Sequence, residues 1–360
     1  METTVQALAI AVQARVPVLL WGAPGTGKSS VVRQLGAELG LPVETVIASI
    51  REPSDFAGLP VVTEGGVRFA PPDWAVRLAE AGRGILFLDE ISTAPPAVQA
   101  ALLRVVLERT VGDLELPAEV ALVAAANPPE EAAGGWELSP PLANRFCHLE
   151  WRPHARSVAE GFASGWRAVS PRRFDAAEAE RALARERAAL AGFLTARPDL
   201  ALEVPARRAG RRAWASPRSW EFGLRLWCAG LTTGVPEVAL LLLEGSVGPG
   251  AAAEWVTWRR EADLPDPEAL LAAPERFEVP ERGDVLFAVL GAVVTAVAGK
   301  LSQERWRAGW RIIAKAAERA PDVAVFPART LLRAGEGTGW LPEGAGRLLP
   351  VLELARPALR

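Results

Sequence analysis

At 360 residues the chain is long enough for two domains, and with half of its residues hydrophobic it can bury a sizeable core. A formal net charge of −3 neither invites nor forbids nucleic acid, and Cys147 and Cys228 lack metal-ligand or redox spacing, which fits a reduced, cytoplasmic setting. The longest uncharged apolar stretch, residues 285–299, is shorter than the about 18–20 residues a membrane span needs, and the N-terminus carries no basic leader.

The first predicted strand covers 16–21, a short apolar run. It leads into Gly22-Ala23-Pro24-Gly25-Thr26-Gly27-Lys28-Ser29, which fits the pattern G-x-x-x-x-G-K-[S/T]. Val31, Val32, Leu35 and Leu39 then recur at helical spacing until Gly40 and Pro42 stop the helix. Strand, glycine-rich turn and helix are the context this motif needs. Glycines let successive backbone N–H groups converge on phosphate oxygens, and the helix N-terminus adds partial positive charge. Lys28 is placed to reach the β- and γ-phosphates and the Ser29 hydroxyl to take a Mg²⁺ position, and residues Gly22 to Ser30 together are the expected nucleotide-binding set. A nucleoside triphosphate, ATP with Mg²⁺, is the expected ligand.

Further apolar runs fall at 43–50, 84–88, 120–126 and 146–151, with helical stretches between most of them. That alternation predicts a parallel sheet covered on both faces. Val61–Phe69 reads as a hairpin turning at Gly65-Gly66. The run 84–88 ends in Asp89-Glu90, where Asp89 suits a second Mg²⁺ position and Glu90 can orient a water for attack on the γ-phosphate. Ser92 to Pro96 opens a helix with Val98, Leu102, Val105 and Val106 on one face. Asn127 ends the run 120–126, and Arg145 precedes Phe146.

From about residue 153 strand patterns stop and helices follow one another. The clearest spans 175–196, closed by Arg197-Pro198. A helical block at 217–243 is followed by a break at Gly245 to Gly250, a loop with one short helix at 267–272, and helices at 284–299 and 303–319. The tail from Gly335 reads as loosely ordered. Trp255, Trp258, Trp306 and Trp310 lie at helical spacing and are read as core. The cluster Arg207, Arg208, Arg211, Arg212, Trp214 and Trp220 would be the best support for a nucleic-acid interface, but the acidic balance elsewhere weighs against one.

Taken together, the cradle, Asp89-Glu90, Asn127 before Pro128, and Pro141-Leu142-Ala143-Asn144-Arg145-Phe146 resemble, in order, the motifs of AAA+ ATPases, and within them the MoxR-like branch. The resemblance covers about residues 5–245. It implies that Asn127 bonds the γ-phosphate and attacking water, and that Arg145 reaches a neighbouring subunit's nucleotide. Ser216-Pro217-Arg218-Ser219 resembles the sensor-2 element, and Arg218 then serves either its own nucleotide or a neighbour's. Arg51–Gly58 resembles a P-x-D-x-x-G element, and the hairpin after it resembles one that relatives direct toward the pore of a ring.

The fold implied is α/β, a P-loop NTPase core with a parallel sheet flanked by helices, followed by an all-helical lid and a C-terminal helical extension. Residues 1–152 would form the core, 153–245 a lid with a helix inserted before sensor 2, and 246–360 the extension. The resemblance further implies a homo-oligomer of hexameric type, a protein client, and a von Willebrand factor A domain protein as partner. The rival readings are a nucleic-acid remodeller and a scaffold that binds nucleotide without turnover.

Overall fold

The computed structural model describes residues 2–128, 136–166, 168–203 and 212–342. The chain starts with α1 (Glu2–Gln13) and enters β1 (Val18–Trp21), which turns into α2 (Lys28–Leu39). Next come β2 (Val43–Ile47), the single turn α3 (Ser54–Ala57), the hairpin β3 (Leu59–Thr63) and β4 (Gly66–Ala70), and α4 (Asp73–Ala81). β5 (Arg83–Asp89) and α5 (Pro96–Glu108) precede a small hairpin, β6 (Thr110–Val111) and β7 (Leu114–Glu115). β8 (Glu119–Ala126), α6 (Pro140–Ala143) and β9 (Cys147–Glu150) complete the strands. Among the described residues after β9 the elements are helices: α7 (Ala155–Ser164), α8 (Ala176–Ala196), α9 (Pro217–Leu231), α10 (Pro236–Val247), α11 (Pro249–Glu261), α12 (Pro267–Ala272), α13 (Gly283–Gly299), α14 (Gln303–Arg319) and α15 (Pro321–Ala334).

Five strands form one sheet in the order β2-β5-β8-β1-β9, each parallel to its neighbours. The sequence dictates this. β5 and β8 are near-continuous runs of Ile, Leu, Phe, Val and Ala, buried on both faces, as strands sandwiched between helices must be. Val98, Leu102, Val105 and Val106 of α5 join Leu86, Leu88, Leu122 and Phe146 in one apolar cluster. Fully burying each such side chain is worth about 1.5–3 kcal/mol. Because all strands point the same way, their carboxyl ends lie on one edge of the sheet, where loops are free to carry chemistry.

Two compact units divide the chain, Met1–Ala179 with Glu203–Ala252, and Glu180–Leu202 with Ala253–Arg360. The first contains the whole sheet, and within it α10 packs on α9, α1 and β9. Here one expectation needs correcting. The chain does not break at Gly245. That glycine lies inside α10, and a Cβ there would sit 2.4 Å from the His148 carbonyl oxygen, so its job is close approach to β9. The turn comes three residues later, at Gly248, whose φ is +87°.

The second unit is a packing of helices around aromatic rings. Trp255 and Trp258 stack at 5.7 Å, both against Phe193 of α8, while Trp306 meets Trp310 edge-on. All four tryptophans are buried, as their spacing predicts. The Trp258 indole donates to Asp284 Oδ2 at 2.6 Å, and Arg259 grips Glu186 with two nitrogens. Residues 343–360, most of the expected loose tail, lie outside the described residues.

Candidate functional site

The turn after β1 is shaped by what each residue permits. Gly25 (φ +73°) and Gly27 (φ +89°) take left-handed conformations that a side chain resists. Gly22 is required for a different reason: a Cβ on it would lie 2.4 Å from the Trp151 carbonyl oxygen. Thr26 Oγ1 donates to Ala23 O at 2.7 Å and closes the turn on itself. No side chain caps α2, so the N–H groups at its start are available to an anion.

Lys28 is nearly buried, and its ammonium donates to Gly22 O at 2.6 Å, Ala23 O at 2.9 Å and Asn127 Oδ1 at 3.0 Å. An ammonium only donates, so the Asn127 atom facing it must be the carbonyl oxygen, and the amide hydrogens point elsewhere. Asn127 is itself anchored, its N–H on Ser92 Oγ at 3.1 Å. The sheet order makes this meeting possible, because β8 lies between β1 and β5. On the other side Ser29 Oγ donates to Asp89 Oδ2 at 2.7 Å. The residues predicted for phosphate and metal are therefore brought together from three strand ends, and Pro24 and Ser30 flank them.

Glu90 departs from the expected picture. It does not continue the strand but sits beyond β5 in a left-handed conformation (φ +56°, ψ +39°). For a residue other than glycine this costs on the order of 1–2 kcal/mol. Its main-chain N–H donates to Asp89 Oδ1 at 3.0 Å, and its side chain accepts a short hydrogen bond from the Ser49 hydroxyl. Ser49 was not singled out in the sequence. It follows β2, which lies beside β5 in the sheet, and only that adjacency would have revealed it.

Arg145 and Arg218 form a second group. Asn144 and Ser216 tie their segments together, with Ser216 Oγ donating to Asn144 Oδ1 at 2.7 Å. Ser216 also caps α9 through a reciprocal box with Ser219, with Pro217 at the first helical position. Arg145 donates to Pro141 O, while its Nε is buried without a partner. Burial, and then the like charge of Arg218, lower the Arg145 pKa.

Near the sheet edge, His148 accepts from the Trp21 indole at 2.9 Å and meets Ala143 O at 2.9 Å through its other nitrogen. Burial pushes its pKa down to about 4, so the ring is neutral. Arg212 stacks over Trp21 at 4.3 Å and pairs with Glu150. Trp214 and Trp220 are buried. Among the described members of the basic and aromatic cluster, then, none is free to form a nucleic-acid face. Arg207, Arg208 and Arg211 lie outside the described residues.

The donor set fits a Mg²⁺–triphosphate. A hydroxyl beside a carboxylate supplies hard oxygen ligands for a cation that takes its remaining places from phosphate and water. The glycines leave the turn open to phosphate, and Lys28 supplies charge. Among the described residues no helix is long and apolar enough to cross a membrane.

Comparison with known proteins matches residues 17–146 to the AAA domain of the dynein-related subfamily. Over 111 residues the chain is 33% identical to protein MoxR of Methylorubrum extorquens, covering 31% of this chain and 32% of that protein. It is also 33% identical over 121 residues to WtsA of Pantoea stewartii subsp. stewartii, named a pathogenicity locus probable regulatory protein, covering 32% and 38%. The chain thus spans about a third of the length of the curated relatives it matches. A solved structure from Cytophaga hutchinsonii is 17% identical, covering 70% of this chain and 87% of that one, with a TM-score of 0.43.

Proposed function

We propose that residues 17–146, which match the AAA domain of the dynein-related subfamily, form an AAA domain akin to that of MoxR, and that the chain hydrolyses ATP in the presence of Mg²⁺. The observation that carries the reading is the convergence of Lys28, Asn127 and the Ser29–Asp89 pair at neighbouring strand ends. The turn 22–27 would cradle the β- and γ-phosphates, replacing the carbonyls that Lys28 now contacts. Mg²⁺, held by Ser29 and Asp89, would neutralise charge on those phosphates. Asn127, its oxygen turned to Lys28, would offer its amide hydrogens to the γ-phosphate. Glu90, released from Ser49, would accept the proton of a water that attacks the γ-phosphorus as the β–γ bridging bond breaks, giving ADP and phosphate. The pairing of Glu90 with Ser49 supports a resting arrangement in which this base is held back.

The finer parts of the reading rest on resemblance. They are a ring-forming homo-oligomer, Arg145 acting on a neighbour's nucleotide, Arg218 as its companion, and mechanical work on a protein client as a cytoplasmic chaperone or activase, with a von Willebrand factor A domain protein as partner. The hairpin β3–β4 supports a client-contacting role, since Leu59, Val61, Val62, Val67 and Phe69 are all exposed, Val62 to 84%. Its base is fixed, with Phe69 N–H on Asp113 Oδ2 and Asp113 N–H on Phe69 O, both at 2.9 Å.

Steady-state phosphate release with Mg-ATP tests the activity, with Lys28→Ala as the control that loses binding. A purified chain that ignores adenine nucleotides, even at high protein concentration, sinks the proposal. Mixing tests the shared site: Arg145→Ala should recover hydrolysis when combined with a Glu90→Gln chain that keeps Arg145. Absence of recovery at every ratio counts against a finger supplied by a neighbour.

A further inference from the structure

The peptide between Thr26 and Gly27 is held from outside the turn. The Trp151 indole N–H donates to Thr26 O at 2.9 Å, and the tryptophan is buried. Trp151 is itself fixed to the turn's first residues. Its main-chain N–H donates to Trp21 O at 2.6 Å, and its carbonyl oxygen lies against Gly22 with no room for a Cβ between them. The indole therefore reaches the fifth residue of the turn from a backbone anchored at its entrance.

Such a clamp answers a specific weakness. Thr26 stands between two glycines in left-handed conformations, and glycine restrains its neighbouring peptide planes least of all residues. In a planar trans peptide the C=O and the following N–H point in opposite directions. Fixing the Thr26 carbonyl thus fixes the direction of the Gly27 N–H, which faces away from the indole. The hydroxyl of Thr26 is spent on Ala23 O and cannot do this work.

We propose that Trp151 is a positioning residue for triphosphate binding: its indole N–H sets the Thr26–Gly27 peptide plane so that the Gly27 N–H is delivered to a phosphate oxygen. The proposal rests on the reading of residues 22–29 as the triphosphate cradle. It concerns the phosphate end alone, so adenosine, which has no phosphate, must be insensitive to it.

The experiment is calorimetric titration of the full chain with ATP and Mg²⁺, and with adenosine, accompanied by thermal denaturation. The proteins are wild type, Trp151→Phe, Trp151→His, and a chain carrying 3-benzothienylalanine at 151, which keeps the ring volume and lacks only the N–H. The isostere should bind ATP about 3- to 10-fold more weakly, the loss expected for one hydrogen bond. Adenosine affinity should stay at the wild-type value, and the thermal midpoint should fall by no more than the few degrees that one lost hydrogen bond costs. Trp151→Phe should follow the isostere, and Trp151→His, which restores a donor, should lie closer to wild type. Wild-type affinity in the isostere overturns the role of Trp151 while leaving the cradle in place, as does an equal loss of ATP and adenosine. A wild-type chain that binds adenosine but gains nothing from the triphosphate overturns the cradle and the proposal together.

Discussion

The strand ends of the first unit and the aromatic core of the second are built on opposite principles. At the strand ends polar groups satisfy one another: Lys28 rests on two carbonyls and Asn127, Ser29 on Asp89, and Glu90 on Ser49. Each of those bonds is one that a phosphate, a metal ion or a water can replace. In the second unit the buried groups are aromatic rings and aliphatic chains, and polar contacts such as Arg259 on Glu186 pair side chains with each other. The difference teaches where a substitution will be felt. In the first region chemistry should fail while the fold stands; in the second the fold should fail first.

The sharpest test of the first half is Glu90→Gln. Hydrolysis should fall about 10²- to 10⁴-fold while ATP still binds. Phosphate release near the wild-type rate would remove Glu90 from the water-positioning role. For the second half, Trp255→Ala deletes a fully buried ring packed on Trp258 and Phe193 and should cost about 3–5 kcal/mol in denaturant unfolding. A Trp255→Ala chain of unchanged stability that had lost nucleotide binding would break the comparison outright.

His148 tests a place where fold and site meet. Its native pKa is pushed down to about 4, whereas an unfolded histidine titrates near 6.5. Between those values the unfolded chain binds the extra proton, so the stability is fully present above about pH 6.5 and drains away as pH falls toward 4. The contribution to the slope approaches about 1.4 kcal/mol per pH unit within that window. His148→Phe should flatten that part of the pH–stability curve, and an unchanged slope would show that the ring titrates normally. The smallest effect is expected of Ser49→Ala. Freeing the Glu90 carboxylate should raise basal phosphate release by about 2- to 10-fold. A fall instead would mean that Ser49 holds Glu90 in its working position.

The sequence is most legible where a function is carried by adjacent residues. The turn 22–29, the acid pair and the strand-ending Asn127 are local patterns, and the five parallel strands follow from apolar runs between helices. What escaped it is the product of sheet order. Ser49 meets Glu90 because β2 lies beside β5, and Trp151 meets Thr26 because β9 lies beside β1. Neither order is written in the spacing of the chain. Arg145 and Arg218 were both legible as single residues, yet their proximity depends on Asn144 and Ser216, 72 positions apart. Gly245 was misread for a similar reason. A glycine that ends a helix and one that lets a helix lie on a strand look alike until the strand is in place.

The left-handed backbone at Glu90 has one more consequence. Glycine would sit in that joint at ease, so Glu90→Gly relieves the main chain while deleting the carboxylate. With Glu90 in its proposed role, selection for heat tolerance alone would drift toward a silent version. On that reading robustness and competence pull this position in opposite directions, and Glu90→Gly should give a hardier chain with weaker phosphate release.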